Sequence, residues 1–157
     1  MPDLSERLVD QVRQALDSNT PLCLAGNGSK SFLGRVASGA PLSTADHEGV
    51  VEYEPTELVI TVRAGTPLAT VKSVLAAESQ VLACEPPELE GATIGGTLAR
   101  TRSGAARPWM GSIRAHLLGI RLTTGKAEHL RFGGRVMKHV AGYDVSRCPA
   151  GARGCLG

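Results

Sequence analysis

The sequence predicts an α+β fold, and three observations carry that prediction. Apolar residues recur at helical spacing near the N-terminus. Two strand-like runs, VVEYE and LVITVRA, follow one another directly. A further pair of runs lies between residues 116 and 132, so strands come in succession rather than alternating strictly with helices. At 157 residues the chain has the length of one domain and can bury a core.

Each element has its own justification. Leu4, Leu8, Val9, Val12 and Leu16 share one face over residues 3–16, and Asp3 with Glu6 resembles a capping box, so an amphipathic helix opens the chain. Pro21 introduces PLCLA, read as a buried strand that feeds a glycine-rich loop. VVEYE and LVITVRA are adjacent strands parted by a turn at Glu54, Pro55 and Thr56. Thr66 before Pro67 has the form of an N-cap and first turn, and Leu68, Val71, Val74 and Leu75 give the following helix an apolar face to lay on the strands. CEPPELEGA is a fixed loop, because Pro86 and Pro87 remove donors and restrict their neighbours. A short helix after Gly95 and Gly96, running through Leu98, gives way to the polar, turn-rich ARTRSGAARPWMGS. Residues 116–124 and 128–132 then form a hairpin across a Gly-Lys turn.

Composition excludes several classes. With 42% hydrophobic and 20% charged residues, the chain reads as a soluble globular protein, and no apolar run approaches the ~18 residues of a membrane span. The opening MPDLSERLVD carries acids where a secretory signal carries a basic cluster and an apolar stretch, so the expected compartment is the cytoplasm. Cys23, Cys84, Cys148 and Cys155 have neither zinc nor disulfide spacing and are expected as free, mostly buried thiols. His47, His116, His129 and His139 lack ligand spacing, so no metal site is expected. Residues 1–99 carry 6 basic and 13 acidic side chains, whereas residues 100–157 carry 11 and 2. The basic half suits an anionic cofactor or a solvated face. Its scattered arginines, and the presence of only two Phe, two Tyr and one Trp, argue against nucleic acid.

The loop LAGNGSKSFLG poses the functional question. A Walker A loop would need glycine immediately before the lysine, where Ser29 stands, and a GxGxxG fingerprint would need its third glycine at Ser31. What remains is a strand leading into successive small residues, whose amides form an anion-binding nest or an ordinary turn. Later segments agree with the nest. ATIGGTLA offers two adjacent glycines that let the backbone approach a bulky ligand, and PWMGSIR combines Gly111, Ser112 and Arg114. MKHVAGYD and GARGCLG follow.

The order GNGSK, EPTELVITVRAGTPL, CEPP, ATIGG, RPWMGS, LRFGGRVMKHVAGYD and GCLG resembles the FAD-binding domain of the p-cresol methylhydroxylase and vanillyl-alcohol oxidase superfamily. Within it, the chain is most similar to the smaller flavin subunits of bacterial glycolate dehydrogenases (glycolate oxidases). The resemblance implies an α+β, two-subdomain FAD-binding fold of the p-cresol methylhydroxylase type, with the first subdomain over about residues 1–83 and the second over about residues 84–157. It implies that Gly26, Asn27, Gly28, Ser29 and Lys30 hold the pyrophosphate of FAD. Pro86, Thr93, Ile94, Gly95 and Gly96 would line the diphosphate and flavin side, Gly111, Ser112 and Arg114 would lie along the same cofactor, and Gly142 and Tyr143 near the flavin. The catalytic residue stays unassigned, with His139 and Tyr143 candidates by position only.

Departures from the family pattern matter too. Covalent attachment in some members uses a first-loop histidine, which GNGSK lacks, so the FAD is expected to be non-covalent. ARTRSGAAR is more basic than the family's apolar stretch, and Pro149 is expected to stop a helix early. GARGCLG matches a motif after which relatives continue into another strand and a substrate or cap domain. The second subdomain is therefore expected to be incomplete, the cap domain absent and an apolar face uncovered. The function so implied is an FAD-binding subunit that oxidises a small 2-hydroxy acid, glycolate first, alongside a larger flavin subunit and an iron-sulfur subunit, with any membrane association made through those partners. The alternative is a non-catalytic assembly subunit or an inactive remnant.

Overall fold

The computed structural model describes residues 3–35, 38–135 and 142–157. Helix α1 spans Ser5–Asp17, and the Ser5 N–H donates to Asp3 Oδ1 at 2.9 Å. The expected capping box is not formed: Leu4 takes the N-cap position, no side chain caps the helix, and Glu6 returns no bond among the described residues. Of the predicted apolar face only Val12 is buried, and α1 lies beside the strand Gly119–Thr123.

Strand β1 (Leu22–Ala25) runs where PLCLA predicts it but is not the buried strand expected, since none of its residues is buried and Leu24 and Ala25 are exposed; it is a two-stranded edge, pairing in parallel only with β2 (Ala40–Ser43) among the described residues, which the sequence reading did not anticipate. Strands β3 (Val50–Glu54) and β4 (Val59–Val62) form the expected antiparallel pair, joined by a 3₁₀ turn at Pro55–Glu57. Helix α2 (Leu68–Ala77) follows, burying Leu68, Val71 and Leu75. Just beyond α2, Gln80 ties the helix to the β3–β4 hairpin: Tyr53 Oη donates to Gln80 Oε1 at 2.8 Å, and Gln80 Nε2 donates to the Pro55 carbonyl at 2.8 Å.

Thr66 does not cap α2 as predicted. Its hydroxyl is fully buried and bonds to the Arg63 carbonyl at 2.6 Å and to Gly49, because Pro67 takes the extended cap position and forms a bridge with Thr93 instead. The first N–H of α2, on Leu68, donates to the Ala92 carbonyl at 2.7 Å, which fastens the end of the proline loop to the helix start.

Helix α3 (Ile94–Arg100) and the short α4 (Arg107–Met110) precede a 3₁₀ turn at Ile113–His116. The hairpin of β5 (Gly119–Thr123) and β6 (His129–Gly133) starts later than expected, since the 3₁₀ turn takes His116, and Leu117 and Leu118 lead out of it before pairing begins. A final 3₁₀ turn covers Val145–Arg147.

The buried apolar set is small: Val12, Leu42, Leu68, Val71, Leu75, Cys84, Ala92 and Ile113. The accessible surface of 10097 Å² exceeds the ~7,500 Å² expected for a compact monomer of this mass. Phe32, Leu58, Val81 and Trp109 contribute to the excess, Trp109 at 84% exposure. All four cysteines are free, but only Cys84 is buried. Cys148 and Cys155 are exposed because they lie on the turns after the last 3₁₀ segment rather than in the core.

Candidate cofactor site

Strand β1 delivers the chain to Gly26, where regular pairing stops and the chain turns. The Ser31 N–H donates to the Gly28 carbonyl at 3.0 Å and the Leu33 N–H to the Lys30 carbonyl at 3.1 Å, so the loop is a pair of turns and not a helix. Gly28 sits at φ +71, a left-handed conformation that glycine adopts without strain. None of the main-chain N–H groups of residues 26–30 donates to another described residue. Amide donors are strongly driven to find acceptors, so this bend is a concentrated set of unused donors.

The opposite wall is the start of α3. Thr93 is its N-cap, accepting the Gly96 N–H at Oγ1 (3.2 Å). The Ile94 N–H donates to the Thr66 carbonyl at 2.9 Å, and the Gly95 N–H to the Ala64 carbonyl at 2.8 Å. Every first-turn donor of α3 is therefore used within the protein. The Thr93-Ile94-Gly95-Gly96 run supplies a smooth wall and leaves donation to the first loop.

The two segments touch. A Cβ on Gly26 would come within 2.9 Å of Thr93 Oγ1, and a Cβ on Gly91 would lie 3.5 Å from Asn27 Cβ. A Cβ on Gly96 would lie 3.8 Å from Lys30 Nζ. Lys30 is only 9% exposed, and its Nζ is buried with no hydrogen-bond partner among the described residues. Burial, and secondarily the positive charge of Arg100, push its pKa below the usual lysine value. Arg100 lies one turn after Gly96 on α3, and its Nη2 donates to the Leu33 carbonyl at 3.2 Å. The sequence reading did not select Arg100; the unusually basic ARTR stretch was the available signal.

The remaining candidates are spread around this core. Pro86 is buried in the proline loop, which the Lys72–Glu88 ion pair ties to α2 and which Glu85 ties to the next segment by accepting the Ala106 N–H at 2.9 Å. Gly111, at φ +76, ends α4, and Ser112 stands, without a side-chain capping bond, at the N-cap position of the 3₁₀ turn that sits beside α3. Arg114 is exposed and its guanidinium has no partner among the described residues. Gly142 would have nothing within 4 Å of a Cβ, and Tyr143 is 98% exposed, so neither is packed against the cradle. His139 lies outside the described residues.

GARGCLG takes a role the sequence did not reveal: the N–H groups of Gly151 and Arg153 donate to the Leu98 and Ala99 carbonyls, each at 3.0 Å, bracing α3 from behind. A separate pocket of about 380 Å³ lies between α2 and residues 84–85 and 106–110; none of the candidate cofactor residues lines it.

A strand feeding a loop of unused amides, with a buried cation over a glycine-bearing helix, has the chemistry to hold an anion. The FAD binding domain family matches residues 1–133, and the chain belongs to it. The residues fit FAD, because the unused amides and the unpartnered Lys30 ammonium are what a diphosphate requires.

The chain is 53% identical over 156 residues to the glycolate oxidase subunit GlcE of Escherichia coli K12, covering 99% of this chain and 45% of that protein. It is 27% identical over 167 residues to the glycolate oxidase subunit GlcD of Bacillus subtilis 168, covering 100% of this chain and 35% of that protein. The chain thus spans less than half the length of these relatives. A solved alkyldihydroxyacetonephosphate synthase aligns with a TM-score of 0.76 at 20% identity, covering 97% of this chain and 28% of that one. The fold is the α+β FAD-binding fold of the p-cresol methylhydroxylase type. Among the described residues, no helix is long and apolar enough to cross a membrane.

Proposed function

We propose that this chain is the FAD-binding portion of an oxidoreductase that oxidises a small 2-hydroxy acid, glycolate to glyoxylate in the first instance, as a subunit of a larger assembly. The supporting observation is the 53% identity to a glycolate oxidase subunit along nearly the whole chain, and the unused amides of residues 26–30 offer the donors a diphosphate needs.

The division of labour follows from the site. FAD, when bound, supplies the hydride acceptor. The residue 26–30 loop holds the phosphates by main-chain donation, Lys30 neutralises their charge, and the α3 start positions the loop through the Gly26–Thr93 contact. A division near residue 83, with the cofactor lying between the two parts, accords with the placement of the Gly26 loop before it and of Thr93 and Gly96 after it. The lack of histidine among residues 26–30 supports non-covalent attachment. The partners proposed are a larger flavin subunit, for which the similarity to GlcD is suggestive, and an iron-sulfur subunit, in the cytoplasm or at a membrane through those partners.

Tyr143 stands in solvent, which favours a second reading in which this chain binds FAD and assembles with a catalytic partner without turning over substrate itself. Anaerobic addition of glycolate to the flavin-loaded chain decides between them. Bleaching of the flavin absorbance supports the catalytic reading. An unchanged spectrum that bleaches only after the partner subunits are added supports the assembly reading.

A further inference from the structure

We propose that Arg100 completes a two-cation clamp with Lys30, and that this clamp makes the site select phosphorylated flavins over riboflavin. The inference rests on the FAD reading and adds a residue and a specificity to it.

Gly96 and Arg100 are four residues apart and therefore share one face of α3. The loop from Lys30 to Gly34 straddles that face. Lys30 Nζ lies over Gly96, 3.8 Å from where a Cβ would be, and Arg100 reaches Leu33 O through Nη2 while Nη1 sits 3.9 Å from the Cβ position of Gly34. A side chain on Gly96 would contact the ammonium, so the glycine keeps that space open.

Two like charges brought to one face repel, and one of them, Lys30, is more than nine-tenths buried with no acceptor. Such an arrangement is costly in isolation and is relieved by an anion lying between the cations and the unused amides of residues 26–30. Arg100 keeps nitrogen donors beyond the one spent on Leu33, and guanidinium geometry suits phosphate oxygens. A diphosphate spans both cations and the amide bend together, whereas riboflavin offers neither group a counter-charge.

The test is a set of titrations of flavin-free protein, following flavin fluorescence for FAD and riboflavin and thermal unfolding for inorganic pyrophosphate. Arg100→Gln is expected to weaken FAD binding by roughly tenfold or more, the loss of one charge-assisted contact. It should leave riboflavin affinity unchanged and lower the salt dependence of FAD binding. Arg100→Lys should restore much of the loss, and Lys30→Met should cost a similar factor. Circular dichroism of each unliganded variant checks that the fold is retained, and Arg100→Lys keeps the proposal testable if Arg100→Gln does not fold. Wild-type affinity for FAD in Arg100→Gln, with Lys30→Met impaired, overturns the clamp and leaves the FAD reading intact. Equal losses for FAD and riboflavin in Arg100→Gln overturn it as well, since they mark a structural effect. If the wild-type chain ignores FAD while pyrophosphate raises its melting temperature only when both cations are present, the clamp stands and the FAD reading fails.

Discussion

Replacing Gly95 by alanine sets two effects of opposite sign against each other, and the structure says which wins. Gly95 lies inside α3, where alanine gains about 0.5–1 kcal/mol of helix stability over glycine. The added Cβ, however, would stand 2.9 Å from both Ala64 Cβ and Ala64 O. Ala64 O is also the acceptor of the Gly95 N–H at 2.8 Å, so the clash cannot be relieved by moving the carbonyl away without weakening that bond. Overpacking against backbone costs about 1–3 kcal/mol, and the strained bond adds on the order of 1 kcal/mol. The net expectation is a loss of ~1–3.5 kcal/mol, or a fall of ~2–14 °C in Tm for a chain of this size. Because α3 would be pushed from the β4–α2 turn, the contact of Thr93 with Gly26 loosens and FAD affinity falls too. Urea unfolding of Gly95→Ala and wild type, monitored by circular dichroism with m compared, measures the stability term. A variant as stable as wild type, or more so, would show that propensity decides and that α3 does not sit as tightly as described.

Three further outcomes are expected. In flavin-free protein, Lys30→Met should raise stability at neutral pH by on the order of 1 kcal/mol, since it removes a buried unpartnered ammonium while keeping its volume. Because the folded-state pKa of Lys30 lies below the unfolded value, the unfolded chain binds more protons between the two, and wild-type stability should rise with pH there relative to Lys30→Met; parallel pH–stability curves would contradict this. Burial, above all, pushes the His47 pKa down, and His47 accepts the Leu4 N–H at Nδ1 (3.3 Å), so stability should fall as pH drops from about 6.5 through its lowered folded pKa, and His47→Gln should flatten that acid limb in melting curves at pH 7.5 and 5.5. Acid precipitation of the flavin-loaded protein should leave a yellow supernatant and a colourless pellet, and a coloured pellet would indicate covalent flavin.

Local signals made most of the fold legible. The β3–β4 hairpin announces itself in β-branched runs around Pro55, and the α2 face in Leu68, Val71 and Leu75, because these elements are specified by neighbours in sequence. Strand β2 was missed because it is four residues long, contains Pro41 and buries only Leu42; it exists through parallel pairing with β1, a non-local event. Thr66 carries a valid cap signature, but its hydroxyl is captured by Gly49 and Arg63, tertiary partners no local rule sees. At the site, the small residues of 26–30 pointed to an amide nest. The burial of Lys30 and the return of Arg100 to Leu33 depend on α3 crossing the loop, which the sequence does not disclose.

The central claim is that the cradle of residues 26–30 and α3 holds FAD. Its most direct test is the visible spectrum of the purified chain, followed by removal of the cofactor and titration with FAD. A flavin spectrum and reconstitution to one FAD per chain are expected. A folded, colourless protein that takes up no FAD would contradict the claim.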